Sequence, residues 1–198
     1  LMNGSFFSFL ELVSTGLMFI AVIYSIFSIF KVDYFNNIVQ IFVKLMAPFT
    51  KIFFGIDKSK SGLLVAIIFS SISALIFVSN YDGRNFQILK IAELITNNEL
   101  QGYFVILAQS VFKVIIVFFQ IIFYFVIAGV IKSWVAPFSE DDIWVVVEVV
   151  SKKTLNPIRK FLPAAGGLDF SPIFVLIFLN SLNIFLANLV ERITLLVL

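Results

Sequence analysis

Four stretches of this chain run for about twenty residues without an Asp, Glu, Lys or Arg. They are Leu12–Phe30 with 19 residues, Ser61–Tyr81 with 21, Val114–Ile131 with 18 and Phe170–Val190 with 21. A helix that crosses a hydrocarbon core needs about 20 predominantly apolar residues. The next longest such window, Leu100–Phe112, has 13 and carries Gln101, Gly102 and Gln109, so it reads as a lead-in to the third span. In 198 residues, 61% are hydrophobic and 26 are Phe, while only 13% are charged. A soluble domain of that length has too little interior for so much apolar surface, and its charged share is about 25%. The expected class is therefore all-α: a polytopic membrane protein with four transmembrane helices. The first window has no basic segment before it, so it is expected to be a retained span.

The same inventory narrows the chemistry. With 0 His and 0 Cys, the chain lacks the ligands of Cys₄ or Cys₂His₂ zinc and of Cys-ligated iron–sulfur centres, the base of a Ser–His triad and any thiol nucleophile. No metal and no cofactor is expected. A net charge of +2 gives no basic patch of the nucleic-acid-binding kind.

Lysine and arginine are unevenly placed. Ten of the 14 fall in two segments, 31–60 and 132–169. By the positive-inside rule these segments are cytoplasmic, and with four spans both termini lie outside. Glu11, Lys113 and Lys132 stand at span ends, where long side chains reach out to water.

The two basic segments resemble each other. Each follows a span, passes through an amphipathic stretch, reaches a proline and ends in a Gly–x–Asp turn before the next span. The first carries Pro48, Thr50, Lys51, Gly55, Asp57 and Ser59; the second carries Asn156, Pro157, Arg159, Lys160, Pro163, Gly166, Gly167, Asp169, Ser171 and Pro172. Two spans per unit make the copies enter the membrane in the same direction, as parallel repeats. Residues 6–81 form the first unit, 82–102 a linker loop with a short amphipathic stretch, and 103–198 the second unit. Within 36–53, Gln40, Lys44 and Lys51 make a narrow polar stripe, with Ile38, Ile41, Phe42, Leu45, Phe49 and Ile52 around it. That pattern suits a helix lying in the interface with its apolar side in the acyl boundary. In 140–153, Asp141, Glu148 and Lys152 share a side, and Trp144 is an interface anchor.

The second motif has a local physical reading. Pro157 limits the helix before it, because Asn156 is pushed out of the helical region. Arg159 and Lys160 lie at the surface within reach of lipid phosphates. Pro163 and Gly166–Gly167 make a turn. Asp169 or Ser171 caps the last span, with Pro172 at its first helical position. The plain role is re-entry into the bilayer; the functional role is a face for a partner or an anionic head group.

The run NPIRKFLPAAGGLDFSPI, Asn156–Ile173, resembles the signature of the YggT family of small bacterial membrane proteins, which has chloroplast relatives. That resemblance implies a non-enzymatic inner-membrane protein built from span–motif–span units. It implies an accessory, assembly or osmotic-stress-related role through partners; plastid relatives are connected with cofactor attachment and nucleoid organisation. The first copy departs from the signature at Thr50 and at Lys60-Ser61-Gly62. Two other classes stand beside this one. One is a subunit of an oligomeric ion channel or transporter, for which Asn180, Asn183 and Asn188 are the intramembrane polar groups. The other is an intramembrane aspartyl hydrolase using Asp57 and Asp169 as a carboxylate pair. The expected surroundings are the lipid bilayer, anionic head groups and other membrane subunits or further copies of the chain, with no nucleic acid.

Overall fold

The computed structural model describes residues 2–53, 55–81, 85–97, 99–161 and 169–197. Seven α-helices occur among them: α1 (Met2–Ile29), α2 (Asn37–Thr50), α3 (Lys58–Ser79), α4 (Phe86–Thr96), α5 (Leu100–Val135), α6 (Asp142–Arg159) and α7 (Ser171–Val197). A 3-10 turn, Lys51–Phe53, extends α2. Four helices are long and apolar enough to cross a membrane: α1, α3, α5 and α7. The order long, amphipathic, long occurs on each side of α4.

The expected lead-in 100–112 runs unbroken into the third span. It is the first third of α5, a single helix of 36 residues. At 1.5 Å per residue this rod is about 54 Å long, well beyond the ~30 Å of a hydrocarbon core. Nothing breaks it because Gly102 lies near its start, where the close approach of Leu94 and Ile95 from α4 holds the backbone. The linker 82–102 accordingly contains α4, which Asn85 caps by accepting from the Gln87 and Ile88 N–H groups. Its Ile91 closes a small apolar cluster with Val78 of α3 and Val105 and Ile106 of α5.

The main core runs through the bundle. Met18, Val22 and Ile26 of α1 meet Val65 and Ala66 of α3 and Val114 and Val126 of α5. Helices α1 and α3 approach tightly at Gly62, where a side chain would overlap Tyr24 and Ser25. Helix α5 is central, touching α1, α3, α4, α6 and α7. Helix α7 packs on α5 and α6 alone among the larger contacts, and only 11% of its span is buried.

The amphipathic helices differ from the expectation of apolar sides turned wholly into the acyl boundary. They close the motif end of the same core. Val39 and Met46 of α2, and Val146, Val150 and Leu155 of α6, are buried in it. Ile38, Phe42 and Phe49 pack inward, while Ile41, Leu45 and Ile52 stay exposed. An apolar arc wider than one contact face serves two surroundings at once.

Chain turns at this end are held by named groups. Lys31 takes a left-handed φ of 48° where α1 ends. The Val32 N–H then reaches back to the Phe27 carbonyl at 2.9 Å, the closing bond of a helix-terminating motif that glycine usually occupies. The Asn36 side chain caps α2 by accepting from Ile38 N–H at 2.9 Å, and donates to the Asp142 carbonyl of α6 at 2.8 Å. Gly55 takes φ 86° in the turn before Asp57, a conformation glycine reaches without a Cβ penalty.

Candidate functional site

Pro157 does not stop α6. The helix continues through it to Arg159, as α2 continues through Pro48. Leu155 and Ile158 are held in the core on either side, and that packing outweighs the preference of Asn156 for extended backbone. The extra turn carries Arg159 to Asp169. Its Nε donates to Asp169 Oδ2 at 2.9 Å, and Nη2 lies 2.7 Å from the same oxygen. The other carboxylate oxygen, Oδ1, accepts the Ser171 N–H at 2.9 Å and so starts α7. Burial raises the Asp169 pKa; the Ser171 N–H and the Arg159 guanidinium outweigh it and hold the carboxyl below its ordinary range.

Beside this pair lies a second. Lys132, at the end of α5, is 5% exposed. It does not reach out to water as a span-end lysine is expected to. Its ammonium is paired with Glu148 of α6, whose other carboxylate oxygen takes Lys152 one turn on. Hydrogen bonds from Lys132, then Lys152, hold the Glu148 carboxyl below its ordinary range. Glu148, from the polar stripe of α6, therefore faces α5 across a close joint. Gly129 makes that joint, since a side chain there would overlap Ser151.

The two pairs border one cleft of about 510 Å³ between α5, α6 and the start of α7. Trp134, Leu155 and Pro172 supply apolar wall, and Lys132, Lys152 and Arg159 face Glu148 and Asp169. Three cations against two carboxylates leave one positive charge in excess. Arginine and lysine donors beside an apolar wall match an acid group on a partly apolar carrier. Among the described residues no cluster of three or more carboxylates gathers to hold a metal ion.

The cleft gathers only part of the expected site. Arg159, Asp169 and Pro172 line it. Asn156, Pro157 and Lys160 are exposed on the last turn of α6, off the cleft. Pro163, Gly166 and Gly167 lie outside the described residues. None of Pro48, Lys51, Gly55, Asp57 and Ser59 lines it. Asp57 repeats one contact of Asp169, with Oδ1 accepting the Ser59 N–H at 3.2 Å at the start of α3. Thr50 stands where the motif has Arg159, and its hydroxyl donates back to the Met46 carbonyl at 3.0 Å. Lys132, Glu148 and Lys152 are the charged cleft residues that motif reading does not select. The Glu148–Lys152 spacing of four was the available signal.

Residues 108–190 match the family described as CCB3/YggT, and that segment contains every charged residue of the cleft. The likeness to the CCB3/YggT family is thus carried by the second half of the chain. The chain resembles uncharacterized protein PA0392 of Pseudomonas aeruginosa, 37% identical over 83 residues, or 42% of each chain. It resembles the uncharacterized protein YggT of Escherichia coli at 32% over 71 residues, 36% of this chain and 37% of that one. An uncharacterized protein of Haemophilus influenzae aligns over 164 residues at 27% identity, covering 80% of this chain and 78% of the other. The matches to PA0392 and YggT thus span about two fifths of those proteins. No solved structure matches the chain significantly.

Proposed function

We propose that this YggT-like chain is a non-enzymatic accessory or assembly component of a bacterial inner membrane, of the osmotic-stress-related kind the resemblance implies. It acts by holding an acidic group of a partner subunit or lipid head group in the Lys132–Lys152–Arg159 cleft. The cleft's excess positive charge carries this reading. In the same reading the two halves are parallel repeats, the motif end faces the cytoplasm, and both termini lie outside. Only the second half retains the arginine–aspartate clamp, so one half binds and the other supports.

The test is the mass of the tagged chain after mild detergent extraction, with co-purifying chains and lipids identified. Stoichiometric foreign subunits or anionic lipids, lost on Lys152→Ala with Arg159→Ala, are expected. A chain that runs alone, or retention unchanged by those substitutions, overturns the reading.

A second reading, an oligomeric ion pathway, draws on α7. It exposes Asn180 and Asn188 inside the span, and the Asn183 amide oxygen is buried without a partner. Amides in hydrocarbon seek partners across helices. Self-association with ion flux in liposomes would favour it. The aspartyl hydrolase reading draws least support, since Asp57 and Asp169 each cap their own helix.

A further inference from the structure

A second cavity, of about 320 Å³, lies between α1, α3 and α5 at the end away from the motif. Its wall is polar in a segment that is otherwise apolar: Glu11, Ser70, Ser73, Gln109, Ser110 and Lys113, with Phe77 and Ala74 completing it. Lys113 and Lys132 stand nineteen positions apart on α5, about 28 Å along the axis, close to the ~30 Å of a hydrocarbon core. If Lys132 marks one boundary, this cavity opens at the other.

Two observations make it a site. Ser70 and Ser110 are fully buried, at 0% and 1% exposure, and neither hydroxyl has a partner. Serines in apolar helices normally donate back to the preceding turn, as Ser71 does to the Ile67 carbonyl at 2.9 Å. Leaving a buried hydroxyl unpaired costs about 1–3 kcal/mol. Glu11 and Lys113, in the same wall, form no ion pair among the described residues. Ser73 is already used, its hydroxyl 2.8 Å from that of Thr15, and Gln109 donates to Thr194 at 3.0 Å. The free polar groups are therefore one carboxylate, one ammonium and two hydroxyls.

We propose that this cavity binds a small zwitterion, its ammonium group on Glu11, its acid group on Lys113, and its polar atoms on the Ser70 and Ser110 hydroxyls. The charges select it. A bare cation meets Lys113 and a bare anion meets Glu11, while an uncharged solute leaves both charges unpaired at the membrane boundary. The volume is at the small end of ligand sites and admits a molecule of amino-acid size. The same chemistry is offered by a free solute and by the head group of an ethanolamine phospholipid.

The experiment uses the full chain purified in a sugar-based detergent. Free glycine and phosphoethanolamine are probed by equilibrium dialysis, and an ethanolamine phospholipid against a glycerol phospholipid by native mass spectrometry. Saturable one-to-one binding of a zwitterion is expected. Glu11→Gln or Lys113→Met each weakens it about tenfold, the loss of one charge-assisted bond. The exchange of Glu11→Lys with Lys113→Glu restores binding, which excludes misfolding as the cause. Methylammonium and acetate, the two half-ligands, compete poorly. Binding of the free compounds identifies a solute site; retention of the ethanolamine lipid alone identifies a head-group site. No saturable binding of either at millimolar concentration overturns the proposal and leaves a water-filled cavity. Equal binding by the half-ligands, or by Glu11→Gln and Lys113→Met, overturns it as well.

Discussion

Lys132 and Glu148 stand sixteen residues apart in sequence and face each other across the joint of α5 and α6, the ammonium side chain 7% exposed and the carboxylate 35%. Removing one partner of a buried pair strands the other. A fully buried pair loses about 3–5 kcal/mol this way; with one partner a third exposed, roughly 1–3 kcal/mol is expected. Glu148→Gln should lower the thermal unfolding midpoint in detergent. Adding Lys132→Met to Glu148→Gln should recover part of the loss, because the stranded charge is gone. An unchanged midpoint in Glu148→Gln would show that the pair is idle.

The acid side of the stability profile follows from the same group. The folded-state pKa of Glu148 is lowered, chiefly by its hydrogen bond from Lys132, and that of Asp169 is lowered too. A lowered carboxyl contributes stability above its unfolded pKa and loses it as pH falls through the folded one. The chain should therefore hold its stability from neutral pH down to the ordinary carboxylate range and lose it below. Unfolding midpoints across that range should fall less steeply for Glu148→Gln with Asp169→Asn than for the parent.

Gly129 sets the spacing of α5 and α6. Gly129→Val must push Ser151 away, and overpacking of this kind costs about 1–3 kcal/mol. Cleavage by an added protease within 137–141, between the two helices, should quicken. Shortening the obstacle with Ser151→Gly should restore part of the resistance. A Gly129→Val chain as resistant as the parent would show that the joint is loose.

Lys31 holds a left-handed backbone that glycine adopts freely. Lys31→Gly should stabilise the end of α1 by up to about 1 kcal/mol, as the steric penalty of a Cβ there is relieved. A rise of the unfolding midpoint is the expected result; a fall would mean that glycine's greater freedom in the unfolded chain dominates.

Much of this architecture is legible in the residues. Uncharged windows mark the four long helices, because hydrocarbon leaves a backbone few other choices. The helix starts at Asp57 and Asp169 are equally local, since a cap involves neighbours in sequence. The extension of α5 back to Leu100 follows the reading of 100–112 as a lead-in to the third span, since Gln101, Gly102 and Gln109 interrupt the apolar run without breaking the helix. The cleft was half visible. Arg159 and Asp169 announce themselves through the motif, but Lys132 looks like any lysine at a span end until α6 folds back and lays Glu148 against it. The opposite cavity was less visible still. Ser70 and Ser110 sit forty residues apart, and small polar residues in a span read as packing surface; only the assembled bundle leaves their hydroxyls unanswered.

Helix α5 has a mechanical consequence. It is one unbroken rod that carries Lys113 near one end and Lys132 near the other. A rock of about 5° around the point midway between them carries each residue roughly 1 Å, in opposite directions, given about 28 Å of axis between them. One ångström is enough to open or tighten an ion pair. The two ends of α5 are thus linked by geometry: a tilt that carries Lys113 one way carries Lys132 the other.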